Sequence, residues 1–205
     1  MKMKLLAAGS AGLLLAACGD NGADTTVTPA QASTTETPAK DVTPSPLPST
    51  TSGESMPSMM NTRATMIGGD GTEIGMANII EGPNGIVLRI TLDEGALEPG
   101  WHGLHLHQVG DCSDTGEFKL SGGHVGKVEG GHGLLNPDGP EGGDIPNIWA
   151  AADGSAGYEV YTTLTTGAAL TDEDGAAIII HESEDDHMTQ PIGGAGARVA
   201  CGVIE

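Results

Sequence analysis

His105 and His107, two histidines separated by one residue, have the clearest capacity for chemistry in this 205-residue chain. They lie in segment 101–107, whose composition is typical of a short β-strand. Successive side chains on a strand point to opposite faces, so the two imidazoles share one face while Leu104 and Leu106 share the other. Imidazole is a good ligand for zinc and copper. An imidazole pair backed by leucines therefore predicts half of a metal site.

Candidate ligands for the other half occur further along the chain. His124 and His132 lie in a glycine-rich stretch, and Glu141 and Asp144 follow them. His181 directly follows an apolar run that ends in three isoleucines. A single histidine is usually structural or solvated, but histidines together with carboxylates are typical zinc and copper ligands. The whole set predicts a metal site.

The two remaining histidines are not predicted to bind metal. His102 has the strand parity of the leucines, so it is expected to face away from the imidazole pair and to be structural. His187 lies among acidic residues of a predicted loop, and we expect it to be a solvated surface residue.

The elements that must position these residues are predicted to be β-strands. Seven short segments have strand composition and are bounded by turn residues: 64–67, 73–80, 86–92, 101–107, 158–164, 176–181 and 198–204. Short strands at this spacing indicate an antiparallel sandwich or barrel. The stretches 108–156 and 182–197 carry little strand signal and are predicted long loops, which usually carry function.

The N-terminal 60 residues differ in composition from the rest. Residues 1–18 have a basic start and an apolar run ending at Cys18, which resembles a bacterial lipoprotein signal with a lipid-bearing cysteine. Ordinary cleavage that leaves a free thiol is the alternative. Residues 19–60 are rich in Thr, Ser, Pro and Ala, which predicts a disordered tether. Residues 61–205 are the predicted folded domain.

The cysteines and the net charge restrict the compartment and the partners. With Cys18 assigned to lipid, Cys112 and Cys201 are left as a pair that is expected to form a disulfide in an oxidising compartment. The predicted location is the bacterial cell envelope or periplasm, with a lipid anchor on the membrane. A net charge of −20 argues against nucleic acid and anionic headgroups. It suits cation binding, although simple solubility explains it equally well.

Several motifs are similar to those of copper/zinc superoxide dismutases of the bacterial, lipoprotein type. The resemblance covers nearly all of residues 62–205, and its motifs are Gly103-Leu104-His105-Leu106-His107, Gly122-Gly123-His124, Asn136-Pro137-Asp138-Gly139-Pro140, Gly143-Asp144-Ile145-Pro146-Asn147 and the run from Gly193 to Ile204. It implies an all-β fold, a flattened eight-stranded antiparallel Greek-key barrel of the immunoglobulin-like sandwich type with two long functional loops.

The resemblance also implies the metals and their ligands. The implied copper ligands are His105, His107, His124 and His181. The implied zinc ligands are His124, shared with copper, His132 and Asp144, and a third histidine is expected three residues before Asp144. Glu141 occupies that position. We retain Glu141 as a zinc ligand; a weakened or empty zinc site is the alternative, because the type of ligand sets the affinity for zinc.

Three further roles follow from the resemblance. Asp185 matches a carboxylate that hydrogen-bonds the metal-binding imidazoles. Arg198 is expected to dock the superoxide anion, and His124 to supply a proton, so these two are the predicted catalytic residues. The second loop carries acidic residues and no lysine, so we expect Lys119 and Lys127 of the first loop to attract the anion.

The implied function is dismutation of superoxide to dioxygen and hydrogen peroxide by a redox-cycling copper that is bridged through histidine to zinc. A non-enzymatic copper- or zinc-binding domain of the envelope, which buffers or delivers metal, is the alternative. A substrate-docking arginine favours the enzyme, since storage of metal does not need one. The membrane is a partner only through the lipid anchor, and a homodimer is left open.

Overall fold

The structure is a computed structural model, and it describes residues 61–205. The chain folds there into eight strands: β1 (Asn61–Gly68), β2 (Glu73–Gly82), β3 (Gly85–Leu92), β4 (Gly100–His107), β5 (Asp144–Ala150), β6 (Ala156–Thr162), β7 (Ala177–His181) and β8 (Arg198–Val203). A 3₁₀ turn at Lys119–Ser121 and a one-turn helix at Gly167–Leu170 lie in connections. Seven of the strands coincide with the predicted segments to within a few residues.

All eight strands belong to one antiparallel sheet. Their order is β5-β4-β7-β8-β1-β2-β3-β6. The end strands β5 and β6 also contact each other, so the sheet curls into a nearly closed barrel. The connections β3–β4 and β6–β7 join strands that are not neighbours, as in a Greek key. The predicted all-β barrel is therefore confirmed.

Strand β5 corrects the prediction that 108–156 is a single long loop. It pairs with β4 through Trp101↔Trp149 and Leu104↔Ile145. Pro146 and Asn147 weaken the strand pattern, because both residue types are depleted in strands. Proline is tolerated here because β5 ends the sheet order and uses only one side for pairing. The first loop thus spans 108–143, and Asp144 begins a strand rather than ending a loop.

Two apolar clusters lie on opposite sides of strands β7 and β8. The larger fills the barrel and contains Leu104 and Leu106, as their parity predicts. The smaller surrounds Phe118, which the first loop buries completely, and it contains the bonded pair Cys112 and Cys201. Their Cα atoms are 5.9 Å apart. The disulfide, as predicted, fastens the first loop to β8.

The second loop runs from residue 182 to residue 197 between β7 and β8, as predicted. Its start is tied to the barrel because Gly103 N–H donates to Ser183 O at 2.8 Å. A side chain at Gly103 would place its Cβ 2.8 Å from the Cβ of Ala195, so this strand position must be glycine for the second loop to pack. Within 61–205, helices long and apolar enough to cross a membrane are absent.

Candidate metal centre

The paired strands β4 and β7 bring three histidines together. His105 and His107 lie on β4, and His181 ends β7, which pairs with β4 through Leu104↔Ile180 and His107↔Ala177. All three side chains are almost completely buried. Their ligand atoms lie within 4.8 Å of one another. The isoleucine-rich strand thus carries His181 to the same side of the sheet as the imidazole pair.

The first loop adds a fourth imidazole. His124 forms an isolated antiparallel bridge with His107, and its buried ring lies 4.2 Å from the ring of His105 and 5.2 Å from that of His107. We call these four residues the imidazole cluster: His105, His107, His124 and His181.

Each of the three strand histidines in the imidazole cluster has one ring nitrogen within hydrogen-bond distance of an oxygen atom from a residue outside the cluster. His105 Nε2 lies 2.7 Å from Asp185 Oδ2, His107 Nδ1 lies 3.0 Å from Gly122 O, and His181 Nδ1 lies 3.0 Å from Gly196 O. Because these partners are oxygen acceptors, the held nitrogens carry the protons.

The opposite nitrogens of the cluster are buried and lack hydrogen-bond partners in the described part of the chain. They are His105 Nδ1, His107 Nε2, His181 Nε2 and, on the shared ring, His124 Nε2. An unpaired buried polar atom costs about 1–3 kcal/mol, so four of them in one cluster need an explanation. A bound cation supplies it, since each lone pair becomes a ligand.

Burial keeps the imidazoles of the three strand histidines neutral. It lowers the pKa of His105 to about 4, against the opposing hydrogen bond from Asp185, and that of His181 to about 3. Burial, reinforced by the charge of Arg198, lowers the pKa of His107 still further. Metals bind the neutral imidazole, so the cluster is ready to bind one at neutral pH.

A second group of ligands lies on the other side of His124, and we call it the carboxylate cluster: His124, His132, Glu141 and Asp144. His124 Nδ1 is 2.8 Å from Glu141 Oε2 and 3.2 Å from Asp144 Oδ1. His132 Nδ1 is 2.8 Å from Asp144 Oδ1. All four side chains are buried. The two clusters therefore share the ring of His124, one nitrogen facing each.

The carboxylates are held from outside in the same manner as the imidazoles. Glu141 Oε1 accepts the Val128 N–H at 2.9 Å, which leaves Oε2 directed at His124. Asp144 Oδ2 accepts the N–H groups of Gly133 and Glu141, each at 2.8 Å, which leaves Oδ1 between the two histidines. Glu141 thus occupies the predicted position in the cluster.

The carboxylate cluster contains charged side chains, whereas the strand histidines of the imidazole cluster are neutral. Burial alone would lower the pKa of His132, but hydrogen bonds and charges from Asp144 and Asp185 outweigh it and raise the pKa to about 9. Burial would raise the pKa of Asp144, but hydrogen bonds with His124, His132 and two backbone amides hold it well below its usual range. Without metal, His132 and Asp144 of this cluster form an ion pair.

Asp185 joins the two clusters from the second loop. Its Oδ2 lies 2.7 Å from His105 Nε2, and its Oδ1 lies 3.2 Å from His132 Nε2. Its backbone is clamped by Asn147, whose Nδ2 donates to Asp185 O at 2.9 Å and whose Oδ1 accepts the Asp185 N–H at 3.0 Å. Asn147 belongs to a motif noted in the sequence, but its hydrogen bonds with Asp185 could not be predicted because strand β5, which positions Asn147, was not predicted.

Arg198 lies beside the imidazole cluster, where its charge acts on His107 and His181. It begins β8 opposite His181. Its Nη1 donates to Phe118 O at 2.6 Å and to Ser121 Oγ at 3.0 Å, and its Nη2 donates to Gly122 O at 2.9 Å. All three partners are neutral, and no carboxylate of residues 61–205 pairs with the guanidinium. Its positive charge is therefore held in place without being neutralised.

The other two histidines differ in outcome. His102 is buried and has a structural environment, with Nδ1 2.7 Å from His181 O and Nε2 2.7 Å from Glu98 O. The prediction that His187 is solvated is wrong: its side chain is only 20% exposed. It lies 3.7 Å from Asp185 Oδ2 and adopts a left-handed φ of 61°. The second loop turns His187 back against Asp185, and the acidic composition of the loop gives no sign of this turn.

The two clusters fit two different metals. Four imidazoles suit copper, while two imidazoles with two carboxylates suit zinc. The ligand atoms of His105, His124, His132 and Asp144 also lie within 4.8 Å of one another, so the clusters are contiguous. A shared ring between them fits a pair of ions bridged by His124.

Comparison with known proteins agrees with this chemistry. The family model for copper/zinc superoxide dismutase matches residues 73–204. The chain is 50% identical to "Superoxide dismutase [Cu-Zn]" of Caulobacter vibrioides, over 69% of this chain and 84% of that protein. It is 36% identical to "Superoxide dismutase [Cu-Zn] 1" of Aquifex aeolicus, over 71% and 88%.

Solved structures give the same result. The structure titled "Cu/Zn superoxide dismutase from Brucella abortus" superposes with a TM-score of 0.58 at 30% identity, covering 71% of this chain and all of that one. A SOD-like protein from Bacillus subtilis superposes with a TM-score of 0.61 at 33% identity, covering 69% and 96%. The chain belongs to the copper/zinc superoxide dismutase family.

Proposed function

We propose that this superoxide dismutase holds copper in the imidazole cluster and zinc in the carboxylate cluster. The observation that carries the proposal is the set of four buried ring nitrogens without hydrogen-bond partners in 61–205, each on a ring whose other nitrogen lies against an oxygen atom. When bound, copper supplies the electron exchange that converts two superoxide ions into dioxygen and hydrogen peroxide. Zinc carries out no redox chemistry.

The chain's own residues would dock the anion and supply a proton. Arg198 presents a fixed, unpaired positive charge beside His107, from which charge-assisted hydrogen bonds to superoxide can form. His124 Nε2 is unpartnered while its Nδ1 lies against the carboxylates, so the ring could hold a proton on Nε2. Asp185 fixes the orientation of His105 and His132.

The geometry of Arg198 supports an enzyme over a metal buffer. A guanidinium held by two carbonyls and a hydroxyl costs desolvation, and metal storage gains nothing from it. The family assignment favours the same choice. A buffer would need only the ligands.

The test is metal analysis of the purified protein together with a superoxide assay. We expect one copper and one zinc per chain and rapid dismutation. Bound copper without dismutation would contradict the proposal and favour the buffer. Arg89, an exposed arginine paired with Glu159, provides a control: Arg89→Gln should leave both metal content and dismutation unchanged.

Glu141 is proposed as the fourth zinc ligand. Its Oε2 is directed at His124 Nδ1 by the Val128 amide, and the side chain is 3% exposed. Glu141→Gln should lower zinc affinity, measured by competition with a chelator, because a neutral amide is a poorer ligand than a carboxylate. Glu141→His should retain zinc. Equal zinc affinity in wild type and Glu141→Gln would contradict ligation by Glu141, and zinc missing from the purified wild type would favour the weakened or empty site.

Export is consistent with the Cys112–Cys201 disulfide. We further propose residues 1–18 as a lipoprotein-type signal, Cys18 as the lipid-bearing residue and 19–60 as a tether to the membrane; all lie outside the described residues. Fatty-acid labelling in a bacterial host should mark the wild type and not Cys18→Ala. Equal labelling of both would contradict lipidation. A homodimer stays a prediction, which sedimentation velocity of the full chain would test.

A further inference from the structure

The two clusters are contiguous, so distance alone does not sort two different metal ions between them. Both clusters include His124, which lies against His107 on one side and against Glu141 on the other. The ligand atoms of four residues, drawn from both clusters, lie within 4.8 Å of one another: His105, His124, His132 and Asp144. Sorting therefore depends on which atoms and which charges each cluster presents to an ion.

The donor atoms of the two clusters differ in chemical type. The imidazole cluster presents four unpartnered ring nitrogens. In the carboxylate cluster, half of the donors are oxygens, Glu141 Oε2 and Asp144 Oδ1, which lie against the histidine nitrogens. Zinc accepts nitrogen and carboxylate oxygen alike, whereas cuprous copper is soft and oxygen is a poor ligand for it. The oxygens therefore favour zinc over cuprous copper.

The charge of the carboxylate cluster acts in the same direction. Glu141 and Asp144 are both buried, and each brings one negative charge. Together they balance a divalent ion that is bound by neutral imidazoles. A monovalent ion would leave one negative charge uncompensated, and a buried charge without a partner is costly. The cluster therefore matches zinc in charge and does not match cuprous copper.

The imidazole cluster has a different charge environment. Its strand histidines are neutral, and Arg198 lies beside it, where the positive charge acts on His107 and His181. A positive neighbour opposes a divalent ion more strongly than a monovalent one. Asp185 contacts one histidine of each cluster, so its charge does not distinguish them. Cuprous copper is therefore opposed less in the imidazole cluster than in the carboxylate cluster.

Glu141 is held in place by several contacts. Its Oε1 accepts the Val128 N–H at 2.9 Å, and its own N–H donates to Asp144 Oδ2 at 2.8 Å. The Asp144 N–H in turn donates to Glu141 O at 3.2 Å. Its stem lies against Gly131, where a Cβ atom would be 3.5 Å from Glu141 Cγ. Each carboxylate thus keeps one oxygen directed at His124, and this arrangement is fixed before any ion binds.

We infer that Glu141 determines metal selectivity: it lets the carboxylate cluster bind zinc and reject cuprous copper, so that reduced copper binds in the imidazole cluster alone. The inference rests on the proposed function, since it concerns the two ions assigned there. The selectivity depends on the oxidation state of copper, because cupric copper binds nitrogen and oxygen ligands more tightly than zinc does. Copper supplied in the reduced form should therefore leave zinc in place.

The test adds cuprous copper, without oxygen, to the zinc-loaded full chain and measures released zinc with a zinc-sensitive dye. The exchange gives the ratio of the affinities for cuprous copper and zinc at the carboxylate cluster. Glu141→His replaces an oxygen by a nitrogen and removes a charge, so it should raise this ratio at least about 10-fold. Zinc retained by this variant before copper is added shows that it is folded.

Two further variants separate the role of Glu141 from other effects of substitution. Glu141→Asp keeps the charge and the oxygen donor, so it should keep the wild-type ratio even where the shorter side chain lowers both affinities. Glu129→His is the matched control, because it adds an exposed imidazole to the same loop, and it should behave as wild type.

Three outcomes would overturn the inference: equal ratios in wild type and Glu141→His, a raised ratio in Glu141→Asp, or an equal rise in Glu129→His. Failure of the proposed function would look different. It would appear as a purified wild type that binds no zinc, or as equal cuprous affinity in wild type and His107→Gln, since the imidazole cluster would then not be the copper site.

Discussion

The imidazole cluster and the carboxylate cluster share one ring, yet they are built on opposite electrostatic principles. In the imidazole cluster, burial lowers the pKa values of the three strand histidines and leaves neutral rings, each with one nitrogen that lacks a hydrogen-bond partner. In the carboxylate cluster, opposite charges attract each other, so His132 holds a proton more strongly than usual and Asp144 holds one less strongly. One cluster lacks partners until a metal arrives, and the other has internal partners.

This difference shows how one fold prepares two kinds of metal site a few ångströms apart. Rigid strands supply three of the four imidazoles, and backbone carbonyls or Asp185 set their tautomers. The first loop supplies His124, His132 and Glu141, and the start of β5 supplies Asp144. Backbone amides hold the two carboxylates in place. A site that exchanges electrons gains from neutral, fixed rings, while a structural site gains from charge that matches the ion.

The largest expected effect comes from breaking the imidazole cluster alone. His107→Gln removes a ligand that the carboxylate cluster does not use. Loss of a direct ligand should lower copper affinity by more than about 100-fold and abolish dismutation, since even indirect partners contribute 10- to 100-fold. Zinc content should be unchanged. Loss of both metals in this variant, by metal analysis, would show that the clusters do not act separately.

Substitution of Asp185 should weaken metal binding in both clusters. Asp185→Asn removes the charge that holds His105 and His132 in their orientations. We expect the affinity for copper and for zinc each to fall by about 10- to 100-fold, measured by chelator competition. The exposed neighbour is the control: Asp186→Asn, whose carboxylate caps Thr189, should retain both affinities. A loss confined to one metal would assign Asp185 to one cluster only.

Substitution of the docking arginine beside the imidazole cluster should slow the reaction with superoxide without changing metal binding in either cluster. Arg198→Gln should lower the rate constant for superoxide by about 10-fold, because a charge-assisted hydrogen bond contributes about 1.5–3 kcal/mol. Copper and zinc contents should match the wild type, since the guanidinium contacts no ligand oxygen of the carboxylate cluster. An unchanged rate would contradict the docking role.

Much of the imidazole cluster could be predicted because it depends on strand parity. Alternation alone places His105 and His107 opposite Leu104 and Leu106, and the barrel core confirms this. The isoleucine run before His181 predicts a buried strand in the same way. The family resemblance supplied the partners, since no local pattern specifies which strands pair.

The carboxylate cluster was less accessible to prediction because its geometry depends on loop contacts and on β5. Pro146 and Asn147 conceal that strand, and with it the clamp of Asn147 on Asp185. The position of Glu141 could be aligned, but the direction of its Oε2 depends on the Val128 amide 13 residues away. The prediction that His187 is solvated was wrong for a similar reason, because the backbone turn at this residue decides its exposure and the composition of the loop does not.

The smallest expected effect is also the most direct contrast between the clusters: opposite pH dependence of the metal-free protein. His105 and His181 have folded pKa values of about 4 and 3, below the ordinary 6.5. As pH falls below 6.5, these histidines bind protons in the unfolded chain but stay neutral in the folded protein, so the free energy of unfolding decreases. His132 has a folded pKa of about 9, so its stabilisation is complete below 6.5 and is lost as pH rises through 9.

Urea unfolding of chelator-treated protein between about pH 5 and pH 9 would measure both sides of this profile. The free energy of unfolding should be greatest near neutral pH. In His181→Asn the decrease toward acid should be smaller, because one ring that resists protonation is gone. In His132→Asn the decrease toward base should be smaller, while the acid side keeps its slope. If each substitution altered both sides equally, the two clusters would titrate as one unit, and their separation would be confined to the metal-bound protein.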